Sequence, residues 1–154
     1  MKINKQILFS VIAFICLIFD HMSKLFVDEV LVFGQKIVAI PDILSFEKVY
    51  NTGAAFSLFQ GNALFLVIIG VITIGLILFY VFKKNTVLRF SDVVGLAFIA
   101  GGAAGNLADR IAHLYVVDFL KPEFIDFPVF NFADIFINLG VIILLFSILL
   151  NKDE

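Results

Sequence analysis

Four long apolar stretches punctuate this chain and set its architecture. Residues 6–19 give 14 positions without a charge, 62–82 give 21, and 93–108 and 135–150 give 16 each. A bilayer core about 30 Å thick needs about 20 helical residues at about 1.5 Å rise each. Only 62–82 meets that requirement unaided. The other three amount to about 21–24 Å of helix. Each is therefore completed by residues beyond the charge that interrupts it: 20–27 for the first, Asp109 and Arg110 for the third, 131–134 for the fourth. The pattern predicts spans at about 6–27, 62–82, 91–110 and 131–150. Ionisable groups then lie within one leaflet, where they are costly and point to function by default.

Between the spans, two segments are long enough to fold. Residues 28–61 alternate loosely at 30–33 and 36–40, with breaks at Gly34 and at Pro41-Asp42. Such a pattern predicts two or three short strands, a β-cradle over the helix ends. Residues 111–130 carry Pro122, Pro128 and a set of Phe side chains, Phe119, Phe124, Phe127 and Phe130. A short interfacial helix or hairpin is expected there. The expected fold is an all-α integral membrane protein in a single domain: four transmembrane helices, a small outer-face β-sheet cradle, and an interfacial loop or short helix.

Composition agrees. Of 154 residues, 62% are hydrophobic, 16% are charged and 20 are Phe. A soluble domain of this size needs far more polar surface, which excludes a cytosolic enzyme or a disordered linker. The net charge of −2 leaves no basic field for nucleic acid. The single Cys makes no intrachain disulfide, and there is no C-x-x-C metal pair; neither a metal nor a cofactor is expected.

Loop charges orient the chain. With four crossings, both termini and the connection between the second and third spans share a side, carrying Lys2, Lys5, Lys83, Lys84, Arg89 and Lys152 against Asp92, Asp153 and Glu154. The opposite side has five basic and ten acidic residues. The positive-inside rule puts the termini in the cytoplasm. The interrupted helix ends, at Asp20, Asp109 and Asp134, then converge at the outer face. The first span reads as retained: no small-x-small cleavage site follows it, and bulky Ile15 precedes Cys16.

Several polar groups sit near those ends. Asp20 and Lys24, four apart, share a helix face with the acid N-terminal to the base. They either lock the outer end of helix one or take part in chemistry. Asn51 and Gly53, in N-T-G-A-A-F, suit a tight turn or a hydrogen-bonding corner of a site. Ala97, Gly101 and Gly105 recur every four residues, a seam that lets a neighbouring helix approach closely. Asn106, Asp109, Arg110 and His113 continue on a polar arc, and a buried Asp109–Arg110 pair is expected to cap the seam. Asp118 and Asp134 have no local basic partner. Asn131 is placed to cap the fourth helix with Asp134 at N3, and capping is one complete reading of Asp134. The other is a carboxyl pair: burial among Phe and Val raises one acid, mutual repulsion raises it further, and the two share a proton. One base to activate water and one acid to polarise a carbonyl suffice for peptide hydrolysis.

Other catalytic designs find no support. There is no H-E-x-x-H, and His21 and His113 are isolated. Cys16 lies deep in helix one, away from both. Ser23 falls on a different helix face from Lys24, which argues against a Ser–Lys dyad.

Five segments in order, D-H-M-S-K (20–24), N-T-G-A-A-F (51–56), G-G-A-A-G-N-L-A-D-R (101–110), V-V-D-F (116–119) and F-N-F-A-D (130–134), together resemble bacterial lipoprotein signal peptidase, signal peptidase II. Ile135, where many relatives carry a small polar residue, and Asn138 on the same helix face depart from that pattern. The resemblance implies a membrane aspartic endopeptidase of the bacterial inner membrane. It removes signal peptides from prolipoproteins, cleaving N-terminal to the diacylglyceryl-modified Cys. On this reading Asp118 and Asp134 are catalytic, while Asp20, Lys24, Asn51, Gly53, Asn106, Asp109, Arg110 and Asn131 support the active site. It further implies a monomer whose partners are the diacylglyceryl prolipoprotein and membrane lipid, with the active site toward the outer face and room for the signal peptide beside the small residues of helix three. A small ion- or proton-coupled transporter is the alternative, although no inverted repeat is visible. A non-catalytic assembly subunit is a third.

Overall fold

A computed structural model describes residues 4–54, 58–84 and 87–150. Lys2, Ala55, Phe56, Lys152, Asp153 and Glu154, on which expectations above bear, lie outside the described residues. The elements run α1 (Lys5–Val30), β1 (Lys36–Ile40), β2 (Leu44–Asn51), α2 (Ala63–Phe82), α3 (Phe90–His113), β3 (Val116–Pro122) and α4 (Phe132–Leu150). All four helices are long and apolar enough to cross a membrane.

Helix α1 begins at Asn4, whose side chain accepts from the Gln6 and Ile7 N–H groups at 3.0 and 3.3 Å. It runs three residues beyond the expected end because Lys48, reaching over from β2, satisfies its last turn. The Lys48 ammonium donates to the Asp28 and Leu31 carbonyls at 3.3 and 3.1 Å and pairs with the Asp28 carboxylate at 2.6 Å. Residues 30–33 consequently form a helix end and a turn, not the expected strand.

Helix α3 packs against each of the other three, and its glycines explain how. A Cβ on Gly101 would lie 2.7 Å from Cys16 Cβ on α1, and one on Gly95 would lie 2.8 Å from Leu144 on α4. At Gly102 it would strike the Ala133 carbonyl, and at Gly105 the Asp20 carboxylate. The small-residue seam is real, but α1 and α4 already fill it. It leaves no room for a substrate, contrary to expectation. At the opposite end of the bundle, Ser147 of α4 bonds Asp92 and Ser91 of α3 at 2.7 and 2.8 Å.

The sheet has three antiparallel strands in the order β1-β2-β3. Segment 28–61 supplies two of them, and the third comes from 116–122, where a helix or hairpin was expected. No helix forms between 114 and 131. After β3 the chain folds back to pair Phe130 with Leu120, a hairpin-like return. Val116, Val117, Phe119 and Leu120 are all buried, so β3 is covered on both faces and shows no alternation to read.

Candidate functional site

Asp118 lies in the middle of β3, opposite Val49 of β2, and is only 3% exposed. Each of its carboxylate oxygens accepts from an amide: Oδ1 from Asn131 Nδ2 at 2.6 Å, Oδ2 from Asn51 Nδ2 at 2.9 Å. Burial pushes its carboxyl from an ordinary 3.8 up to about 7; the Asp134 charge adds to that, and the Asn51 and Asn131 hydrogen bonds pull back.

Asp134 occupies the first turn of α4. The reciprocal cap is present: Asn131 Oδ1 accepts from the Asp134 N–H at 3.0 Å, and the Asn131 N–H donates to Asp134 Oδ2 at 3.2 Å. Asp134 Oδ1 accepts from Asn106 Nδ2 at 2.8 Å. Asn131 thus touches both acids, one through its side chain and one through its backbone.

The orientation of the Asn106 amide follows from Lys24. An ammonium has no acceptor, so the atom 3.0 Å from Lys24 Nζ is the amide oxygen. Asn131 Nδ2 donates to that same oxygen at 3.1 Å. The Asn106 NH2 group is left facing Asp134.

Lys24 is itself held by Asp20 at 2.7 Å and Asp109 at 3.1 Å. Asp20 also accepts from the Ala133 N–H of α4 at 2.8 Å, and Asp109 from the Val117 N–H of β3 at 3.2 Å. One buried ion triad therefore joins α1, α3, β3 and α4 directly behind the two acids. The expected Asp109–Arg110 pair does not form. Successive helical residues point about 100° apart, and Arg110 turns instead to the Gly53 carbonyl at 2.7 Å and the Asn106 carbonyl at 3.3 Å. The Gly53 N–H donates to Asn51 Oδ1 at 2.9 Å, so the loop carrying Asn51 is clamped onto α3.

Asn51, Asn106, Arg110, Asp118, Asn131 and Asp134 line one cavity of about 750 Å³ between the sheet and the helices, whereas Asp20, Lys24, Gly53 and Asp109 are not on its wall. Asn51 and Thr52 contribute from β2 and its loop, Asn106 and Arg110 from α3, and Asp118 from β3. Asp134, Ile135, Asn138 and Ile142 form the α4 wall. Thr52, Gln60 and Lys121 also reach the cavity and were not singled out; Thr52 and Gln60 come from irregular segments, and Lys121 from β3, which shows no alternation. His21 and His113 are exposed, and neither lines the cavity. Among the described residues, no group of three or more His, Cys, Asp or Glu is placed to hold a metal ion.

Fold and site together define a class: a four-helix membrane protein with two amide-held carboxyls in a cavity beneath a small sheet. The comparisons go further. The family model described as Signal peptidase (SPase) II matches residues 12–150. The chain is 38% identical to a lipoprotein signal peptidase of Fusobacterium nucleatum over 94% of its length and 87% of that protein's. It is 41% identical to one of Trichormus variabilis over 97% of its length and 94% of that protein's. A solved bacterial membrane enzyme superposes with a TM-score of 0.88 at 28% identity, covering 94% of this chain and 89% of that one. The chain belongs to the signal peptidase II family.

Proposed function

We propose that this chain is a membrane aspartic endopeptidase that removes signal peptides from prolipoproteins, with Asp118 and Asp134 as its catalytic residues. It resides in the bacterial inner membrane as a monomer with both termini cytoplasmic and the cavity toward the outer face. Its substrate is the diacylglyceryl prolipoprotein, presented from the surrounding lipid, and the bond cut lies N-terminal to the modified Cys. Such a bond sits where an apolar segment leaves the bilayer, the level at which Asp20, Asp109 and Asp134 meet.

Asp134 serves as the base. Asn106 Nδ2 and the Asn131 N–H donate to its two oxygens at the first turn of α4, which fixes the carboxylate facing the cavity. Asp118, raised to about 7, holds the proton. A water between them loses a proton to Asp134 as its oxygen attacks the scissile carbonyl carbon, and Asp118 protonates the carbonyl oxygen. Collapse of the tetrahedral species returns a proton to Asp118, and Asp134 delivers its own to the departing nitrogen. Asn51 and Asn131 stabilise Asp118 while it is charged. Asp20, Lys24, Asn106, Asp109, Arg110 and Gly53 hold the geometry.

The observation that carries this reading is the joint grip of Asn131 on both carboxyls within one cavity. Reconstitution in phospholipid vesicles with a diacylglyceryl-modified prolipoprotein tests it. Mass spectrometry should find a product beginning at the modified Cys, and Asp118→Asn and Asp134→Asn should each reduce its formation by about a thousandfold or more while keeping the parent's thermal unfolding. Folded variants that still cleave overturn the aspartic mechanism.

A further inference from the structure

Asn138 lies one turn below Asp134 on α4, on the wall of the same cavity and among Ile135, Ile137, Leu139 and Ile142. It is six residues into a membrane-spanning helix, about 9 Å from its start. The residue is exposed, and its side-chain amide has no hydrogen-bond partner among the described residues. An unpaired amide at that depth is costly, and Asn is too short to reach the interface.

The substrate has the opposite deficit. A peptide bond about to be hydrolysed must leave its helix, because a helical amide is closed to attack by its own hydrogen bonds. The unwound stretch then carries backbone N–H and C=O groups without partners in an apolar surround. The signal peptide enters from the membrane, so its residues preceding the cut lie deeper than the acids, toward Asn138. Asn138 is about 6 Å below Asp134 along the helix, and an extended chain covers about 3.3 Å per residue. The matching group is about two residues before the cleaved bond.

We propose that Asn138 is a specificity-determining residue: its amide hydrogen-bonds the unwound substrate backbone about two residues on the signal-peptide side of the cut, and so selects segments whose helix ends there. This rests on the proposed endopeptidase reading. An Asn offers both a donor and an acceptor, which suits a backbone unit whatever its side chain.

The experiment is kinetic, on the full chain in phospholipid vesicles with a diacylglyceryl prolipoprotein peptide. Asn138→Leu should raise KM about tenfold, the scale of one lost hydrogen bond, with kcat within about twofold, because the contact is the same in ground and transition states. Asn138→Thr, which restores a donor and an acceptor, should recover part of the loss. A series of peptides with one backbone ester, at each of the four positions before the modified Cys in turn, locates the contact. At one position the ester should cost the parent about tenfold and cost Asn138→Leu nothing further. Thermal unfolding of Asn138→Leu should match or exceed the parent, since no internal bond is lost. An unchanged KM, a lowered unfolding temperature, or no ester position that closes the cycle overturns the proposal. Loss of cleavage in Asp118→Asn and Asp134→Asn under the same conditions keeps the endopeptidase reading separate from this outcome.

Discussion

The Asn131 side-chain amide donates to the Asp118 carboxylate at 2.6 Å. Its backbone N–H meanwhile holds Asp134 at 3.2 Å, so the residue that starts α4 also sets the two acids in relation to each other. Capping and positioning are separable. Asn131→Ser keeps a good N-cap but cannot reach Asp118 with an amide. Thermal unfolding should change little, and kcat should fall about ten- to a hundredfold.

The alkaline limb of kcat/KM should have an apparent midpoint near pH 7, because activity needs the proton that Asp118 carries, with a pKa of about 7. In Asn131→Ser the limb should move to higher pH, since the lost hydrogen bond is one that favours the anion. Stability follows the same group with a definite sign. A carboxyl raised from 3.8 to about 7 binds more protons folded than unfolded between those values, so its contribution declines as pH rises through that window. Asp118→Asn should flatten the decline. Denaturant titrations from pH 4 to 8 check this.

Lys24 is 3% exposed and lies against two carboxylates. Lys24→Met leaves both without their cation and frees Asn106 to rotate. A loss of about 3–5 kcal/mol is expected. Asp20→Asn combined with Lys24→Met should lose less than the single variant, by equilibrium unfolding.

Gly102→Ala drives a methyl into the Ala133 backbone carbonyl, one residue before Asp134. It should separate α3 from α4, weaken the Asn106–Asp134 hydrogen bond and reduce activity more than a hundredfold. Gly75→Ala, with nothing within 4 Å of the new methyl, should leave activity unchanged. Cleavage rates of the two purified variants decide.

Much of this arrangement was legible before the structure. Helix lengths follow from the bilayer thickness, and the Asp20–Lys24 pair and the Asn131–Asp134 cap follow from fixed helical spacings. Long-range pairings were not. β3 is covered on both faces and has no period-2 signature, so its role as the third strand, and the place of Asp118 within it, were missed. The tie between Lys24 and Asp109 crosses from α1 to α3, and local spacing pointed instead to the adjacent Arg110. The small residues of α3 correctly signalled close helix contact. Which helices would occupy that seam was not readable, because any backbone can use a glycine face.

The most direct test is to look for the proton itself. Infrared spectroscopy of the reconstituted protein, titrated from pH 5 to 9, resolves a protonated carboxyl by its C=O stretch. The expected result is a band that disappears with a midpoint near pH 7, is absent in Asp118→Asn, and persists in Asp134→Asn with a lower midpoint, because the neighbouring charge is gone. A band that survives Asp118→Asn unchanged, or no protonated carboxyl anywhere near neutral pH, contradicts a pair of acids sharing one proton.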